Sequence, residues 1–199
     1  MGKVSKPMFL GSIFGGYLLG IILMIAGVVT AIVAAKHAAS TGEGPSAAAA
    51  GGISGLVLLA YIPLIFGAVM AMILLYKMWA AIQGPTARTT PGKAVGFLFI
   101  PFFNIYWLFV AYWGWAVDYN KFTASRGLQA KRAPEGLFLA MCIVPFASII
   151  PIVGALAGLA ALVLMYMFFS FGCDAINALA DAGANQGAAP AAPSAPPVR

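Results

Sequence analysis

Two polar residues inside apolar sequence are the positions of this chain best suited to bind a ligand. Asn104 follows Pro101 within one long apolar run, and Ser148 follows Pro145 within another. Proline interrupts a helix, and broken helices in membrane transporters use the freed backbone groups to bind substrates or ions. The competing interpretation is that Asn104 and Ser148 cap the broken helix ends. We favour capping, because neither break contains a charged residue.

Further polar residues stand where the apolar runs end. Asp174, Asn177 and Asp181 recur at spacings of three and four, which places them on one face of a helix leaving a membrane. A solvated face is the favoured interpretation, and a cation site is the alternative. The candidate polar positions are therefore Asn104, Ser148, Asp118, Asp174 and Asn177.

No familiar catalytic or metal-binding pattern accompanies these residues. His37 is the one histidine, and a single imidazole supplies neither a four-ligand zinc site nor a Ser-His-Asp arrangement. It has the chemistry to ligate a haem or pigment metal, but an ordinary interfacial histidine beside Lys36 is favoured. Cys142 and Cys173 lack a CxxC spacing and are interpreted as buried small hydrophobes. We predict no catalytic, cofactor or metal site, and no enzyme.

The composition indicates a membrane protein. Of the chain, 62% is hydrophobic and 8% is charged, with mean hydropathy +0.97, whereas soluble domains carry about 25% charged residues. The apolar blocks are continuous rather than alternating, which favours helices over a barrel. The formal net charge of +6 lies in connecting segments, a pattern typical of membrane topology rather than of nucleic-acid binding.

Two blocks have the length of full transmembrane helices. The first runs from Met8 to Ala35, and the second, kinked by Pro63, runs from Leu56 to Tyr76. Small residues at helical spacing let another helix approach closely. The predicted helix-packing positions are Gly16, Gly20 and Gly27 in the first block, with Gly154 and Gly158 as a GxxxG pair in the last.

The segment 94–117 has two possible topologies, a single crossing or a hairpin that returns through the break at 101–104. Basic residues decide between them. Lys36 is the only basic residue in the loop 36–52, whereas two precede the first helix, three lie in 77–93 and four in 118–135. Only the hairpin places these last three groups on one side, as the positive-inside rule requires. We therefore predict a re-entrant hairpin with both chain termini in the cytoplasm.

The last apolar block, 137–172, is too long for one span, and Pro145 and Pro151 divide it. It predicts a second proline-broken hairpin. The segment 99–105 can be laid on 143–149, so an internal repeat is one interpretation and chance similarity the other. The Ala/Pro-rich residues 182–199 predict a flexible cytoplasmic tail.

Two sequence segments carry a family resemblance. TPGKAVGFLFIPFFNIYWLFVAYWGWAVDYNKF at 90–122 and CDAIN at 173–177 resemble short bacterial multi-pass membrane proteins of the domain-of-unknown-function kind. The resemblance covers about a third of the chain. It implies a membrane bundle in a bacterial inner membrane and brings no activity or catalytic residue with it.

These observations predict an all-α integral membrane bundle of two full transmembrane helices and two proline-broken hairpins, with residues 1–181 as one domain. The favoured function is a non-catalytic structural or accessory component. It would contact the lipid bilayer and pack in a homo-oligomer or with other membrane subunits, with no nucleic-acid partner. The alternative is a small transporter or channel subunit whose site lies at the breaks near Asn104 and Ser148.

Overall fold

The computed structural model describes residues 2–187 apart from 43, 45 and 148–150, and the regular structure within them is helical. This confirms the predicted all-α bundle. A 3₁₀ turn at Phe97–Phe99 and a π-helical turn at Phe109–Trp113 interrupt the first hairpin. The α-helices are α1 (Lys6–Thr41), α2 (Ala47–Ala81), α3 (Pro91–Gly96), α4 (Phe103–Leu108), α5 (Gly114–Ser125), α6 (Glu135–Ala147) and α7 (Pro151–Gly187).

Three helices in the described part of the chain are long and apolar enough to cross a membrane: Lys6–Thr41, Ala50–Ala81 and Leu156–Gly183. Each exceeds the roughly 20 residues that a bilayer requires. The chain is therefore a membrane protein whose long helices contact lipid. The sequence interpretation counted two full spans and gave the third helix to a broken hairpin. Pro151 stands at the first position of α7, where a missing N–H group does not interrupt the helix.

The helices α1 and α2 form a close antiparallel pair. A Cβ atom added to Gly16 would lie 2.6 Å from the carbonyl oxygen of Pro63 and 3.1 Å from Cα of Gly67. Gly42 ends α1 with a φ of 71°, a conformation that glycine adopts without strain, and its N–H donates to Ala38. Small residues therefore bring the two backbones together without bulky side chains between them.

Residues 91–125 form a hairpin that enters the bundle and returns. The chain reverses at Phe102, which has a φ of 62°. Across the hairpin the Trp107 indole N–H donates to the carbonyl of Ala94 at 3.1 Å. Farther down, Arg88 just before the first arm pairs with Asp118 on the second. The two ends of this segment consequently lie at the same end of the bundle, as the hairpin interpretation predicts.

The tip of the hairpin rises above the level of Trp79 by about half the thickness of a bilayer core. The Trp79 indole N–H donates to the carbonyl of Ala111, which fixes these two residues at one level. From Ala111 to the tip at Phe102 the chain rises about nine helical residues, roughly 13 Å at 1.5 Å per residue, against a hydrocarbon core about 30 Å thick. The tip itself is bare, since Phe102 is 90% exposed.

The second hairpin differs from the first at its proline. Pro145 lies inside α6, which continues to Ala147, so it does not reverse the chain as Pro101 and Phe102 do. The candidate residue Ser148 and residues 188–199 of the predicted tail lie outside the described residues, whereas residues 182–187, also assigned to the tail, continue α7. The arm α6 packs on α7 through Phe138 and Phe168, whose ring centroids are 4.7 Å apart. The proposed sequence repeat is therefore not matched by a repeated turn at the proline.

An aromatic core lies toward the end of the bundle that carries the basic residues. Its largest fully buried side chains are Trp79, Trp115, Tyr119, Phe138, Phe168 and Phe169. The opposite halves of α1, α2 and α7 instead expose branched aliphatic side chains, including Leu18, Ile22, Leu58, Ile62, Leu159 and Val163. An exposed apolar band of this kind suits hydrocarbon. The aromatic core therefore fixes the elements at one end, while the other end consists of long lipid-facing helices.

Candidate functional site

Four separate parts of the chain meet at what we call the basic end, which holds residues 3–6, 77–93, 118–135 and the last turns of α7. Ala81, Phe122, Arg126 and Leu179 line one depression there and bring the ends of α2, α5 and α7 together. Antiparallel packing of α1 on α2 places the N-terminal segment at the same end. Three of the polar residues singled out from the sequence, Asp118, Asp174 and Asn177, lie here.

Asp118 and Arg88 form a buried ion pair. Asp118 is 2% exposed and accepts three hydrogen bonds from Arg88, from the backbone N–H at 2.9 Å, Nε at 3.0 Å and Nη2 at 2.8 Å. A planar guanidinium matches a carboxylate in this two-pronged geometry. The pair joins the loop after α2 to α5, and so closes the base of the first hairpin.

Gly114 makes room for that arginine. A Cβ atom on Gly114 would lie 3.1 Å from Nη1 of Arg88 and 3.2 Å from Cδ. A side chain at this position would therefore press on the guanidinium. Next to Arg88, the buried hydroxyl of Thr89 has no hydrogen-bond partner among the described atoms.

The N-terminal segment is held by α7. The side-chain amide of Asn177 makes two hydrogen bonds with the backbone of Val4, accepting from its N–H at 2.8 Å and donating to its carbonyl at 3.0 Å. Lys6 pairs with Asp174 at 2.7 Å, and Lys3 pairs with Asp181 at 2.7 Å. The acidic face predicted to be merely solvated is exposed, but it also binds residues 3–6.

The same amide arrangement recurs on α5. Asn120 accepts from the N–H of Ala133 at 2.7 Å and donates to its carbonyl at 3.0 Å, and also donates to Glu135 at 2.7 Å. In each hairpin, therefore, one Asp forms an ion pair with a basic side chain. An Asn two or three residues later binds the backbone N–H and the carbonyl of one residue in another segment. The two hairpins therefore resemble each other in these polar contacts and not in the turns at their prolines.

The π-helical turn releases backbone groups for contacts with other elements. In that turn the N–H of Gly114 donates to Phe109, five residues back. The carbonyl of Ala111 accepts from the Trp79 indole at 3.0 Å, and that of Leu108 accepts from the Cys142 thiol at 3.6 Å. The widened turn thus ties the hairpin to both α2 and α6.

Asn104 lies apart from the polar residues at the basic end, near the hairpin tip. Its backbone N–H donates to Ile100 at 3.0 Å, and the neighbouring N–H groups of Phe103 and Ile105 donate to Pro101 and Phe102. Because backbone carbonyls already satisfy this turn, α4 has no side-chain cap. The capping role predicted for Asn104 is therefore wrong. Its side-chain amide is half-buried and has no partner within the described residues.

The glycines of α1 face α2 within the same chain. A Cβ atom on Gly20 would overlap Cγ of Leu64, and one on Gly27 would lie 3.1 Å from Val57 Cγ2. Of the GxxxG pair in α7, Gly154 is half-buried and an added Cβ on Gly158 would meet nothing within 4 Å. Gly158 therefore does not make the close contact within the described chain that the glycines of α1 make.

Two further glycines, outside the predicted helix-packing positions, also make close contacts. A Cβ atom on Gly67 would lie 2.9 Å from the carbonyl of Ile13, and one on Gly172 would lie 2.5 Å from Sδ of Met78. Gly67 lies four residues after Pro63, a spacing that could have indicated a small-residue face on α2. Gly172 has no second glycine three or four residues away in α7 and gave no such signal.

The remaining candidate for metal binding is remote from the basic end. His37 lies near the far end of α1, where its carbonyl accepts from Ser40 at 2.8 Å and from Thr41 at 2.9 Å. Among the described residues, no three His, Cys, Asp or Glu side chains come close enough together to hold a metal ion. The described polar candidates, Asn104, Asp118, Asp174 and Asn177, likewise do not converge on a single point.

Comparisons with protein-family models, with curated proteins and with solved structures find no match. The geometry of the chain itself therefore carries the functional argument.

Proposed function

We propose that this protein is a non-catalytic structural or accessory component of a membrane. One observation carries the proposal. Each carboxylate in the described part of the chain binds a basic side chain of the same molecule, and the two bidentate asparagines bind backbone of the same molecule. A catalytic site requires a nucleophile, an acid or a base directed toward a substrate. Here these groups join one segment to another.

The lipid-facing side of the bundle supplies the surface for assembly. Beyond the aromatic core, α1, α2 and α7 present long apolar faces that bind nothing within the described chain. Helices in a bilayer associate through packing of such faces and through small residues. Gly15, on the exposed side of α1, leaves open space beside the backbone. A homo-oligomer or a complex with other membrane subunits would use these faces.

Purification of the full chain in a mild detergent tests this proposal. Size-exclusion chromatography with light scattering, followed by mass spectrometry of co-eluting proteins, should report a homo-oligomer or a stable complex. The variant Gly15→Leu fills an open position on the exposed side of α1 and should alter assembly without lowering the stability of the monomer. A monomer that elutes alone, with no partner recovered after cross-linking in native membranes, would contradict the accessory role.

A small transporter or channel subunit is the second candidate, and Asn104 favours it. An unpartnered amide near mid-membrane is costly unless water, a solute or another chain contacts it. Asn104→Ala should leave stability nearly unchanged in either case, because no cap or hydrogen bond is lost. If Asn104 contacts a permeating solute, the same variant should abolish flux in proteoliposomes, whereas Tyr106→Phe on the same hairpin should not. Equal flux through both variants and the parent would remove this candidate.

The proposed location is a bacterial inner membrane with the basic end in the cytoplasm. The positive-inside rule supports this orientation, because Lys36 lies near the opposite end of α1 from Lys3 and Lys6. Contacts between residues 3–6 and the last turns of α7 support a common side for the N-terminal segment and the end of α7. Membership of a family of short multi-pass bacterial proteins stays a prediction.

A further inference from the structure

A lipid-facing groove runs between α2 and the first arm of the re-entrant hairpin. It encloses about 700 Å³ and is lined mainly by apolar side chains. The α2 wall is a stripe in which Ile65, Val69 and Ile73 recur every four residues, and Val95 and Phe99 form the other wall. The groove is thus apolar along its length and lies between two elements of the same chain.

Lys77 closes the groove at the basic end. It continues the α2 stripe by one further turn and lines the groove beside Tyr76. Lys77 is exposed and takes part in no ion pair in the described structure. The carboxylates at the basic end already pair with other bases, so Lys77 has no counter-ion there. An apolar groove with one unpaired cation at its polar end is complementary to an amphipathic anion.

The length of the groove matches one leaflet. From Lys77 to Ile65 is twelve residues of helix, about 18 Å at 1.5 Å per residue. Half of a hydrocarbon core about 30 Å thick is about 15 Å. The hairpin wall also ends near mid-membrane, at the tip that follows Phe99. A single acyl chain entering beside Lys77 would therefore fill the groove and end where the leaflet ends.

We propose that this groove binds one anionic phospholipid of the leaflet at the basic end, with its phosphate on Lys77 and an acyl chain between α2 and the hairpin. The lysine stem lies along apolar surface while its ammonium reaches the headgroup level. Tyr76 provides a phenol hydroxyl at the same level, where tyrosine is favoured at membrane interfaces. The site goes beyond the accessory role, since it does not depend on which partner the protein has.

Lipid titration of the detergent-purified full chain tests the site. Native mass spectrometry would follow binding of dioleoylphosphatidylglycerol and of dioleoylphosphatidylcholine, which have the same chains and differ in headgroup charge. One lysine near an anionic headgroup is expected to favour the anionic lipid about fivefold. Lys77→Gln should remove that preference, and Lys77→Arg should keep it. Lys121→Gln, which removes an exposed cation away from the groove, should change the preference less than twofold.

A second variant tests the acyl-chain part of the site and does not depend on the charge. Val69 is 50% exposed, so Val69→Trp should fill the groove without disturbing the core, and it should reduce binding of both lipids. Equal effects of Lys77→Gln and Lys121→Gln would indicate diffuse attraction and overturn the proposal. Unchanged lipid binding by Val69→Trp would also overturn it. A shift of Val69→Trp from dimer to monomer, with lipid binding retained, would show that a second copy occupies the groove instead.

Discussion

The buried pair of Arg88 and Asp118 gives the most quantitative prediction about how the first hairpin is held. Asp118→Asn preserves the size of the side chain but removes the negative charge that accepts three hydrogen bonds. It also turns an amide N–H toward a guanidinium that can only donate. The variant should therefore lose stability while the hairpin keeps its shape.

The size of the loss follows from burial. Breaking a fully buried ion pair by removing one partner costs about 3–5 kcal/mol. Asp118 is almost fully buried, but the side chain of Arg88 is 34% exposed and regains part of its hydration when unpaired. We therefore expect a loss of about 2–3 kcal/mol for Asp118→Asn. Asp174→Asn is the matched control, because its pair with Lys6 is similar in length but its side chain is 60% exposed. That loss should stay below about 1 kcal/mol.

Equilibrium unfolding in mixed micelles, followed by tryptophan fluorescence and far-ultraviolet circular dichroism, measures both losses. The double variant Arg88→Gln with Asp118→Asn should lose less than the sum of the two single variants, because neither charge is then left unpaired. Equal losses for Asp118→Asn and Asp174→Asn would refute the reasoning, since burial is the property that distinguishes them.

Three further substitutions test contacts elsewhere. Gly20→Leu should lower the free energy of unfolding by about 1–3 kcal/mol through overpacking against Leu64. Gly15→Leu should not lower it, because Gly15 has open space beside it. Equal losses for the two variants would contradict the α1–α2 packing. Thr89→Val should leave stability unchanged or raise it by up to about 1 kcal/mol, because it removes an unsatisfied buried hydroxyl; a clear loss would reveal a partner for that hydroxyl. Trp79→Phe should lower the free energy of unfolding by about 1–3 kcal/mol, because the buried carbonyl of Ala111 loses its hydrogen-bond donor. An unchanged melting curve would contradict that hydrogen bond.

The sequence predicted those parts of the fold that local chemistry determines. Continuous apolar runs specified the long helices, and the basic residues specified that 91–125 returns to the side from which it enters. The glycines of α1 were recognised because helical spacing brings Gly16 and Gly20 onto one face. Pro101 located the hairpin turn, although the residue with positive φ is Phe102, a type that gives no sequence signal for that conformation.

The candidate polar residues were found, but their roles depend on distant partners. Arg88 and Asp118 are 30 residues apart, and Val4 and Asn177 are 173 apart. No local pattern predicts that such residues meet, so Asp118 and Asn177 were singled out without their partners. Asn104 was assigned a cap because asparagine favours that position, yet backbone carbonyls already satisfied the turn. Pro145 and Pro151 were taken to bracket a break; α7 does begin at Pro151, where proline is well suited, whereas Pro145 lies inside α6.

Site-directed cysteine labelling tests the re-entrant hairpin most directly. In a background with Cys142 and Cys173 replaced by alanine, Ser46→Cys and Ser125→Cys would each be exposed to a membrane-impermeant maleimide in intact cells and in inverted vesicles. The hairpin predicts that Ser125→Cys is labelled from the cytoplasmic side and Ser46→Cys from the opposite side. It also predicts that Phe102→Cys, at the tip, is labelled from neither side. Labelling of positions 46 and 125 from the same side would mean that 91–125 crosses the membrane once, and would contradict the account.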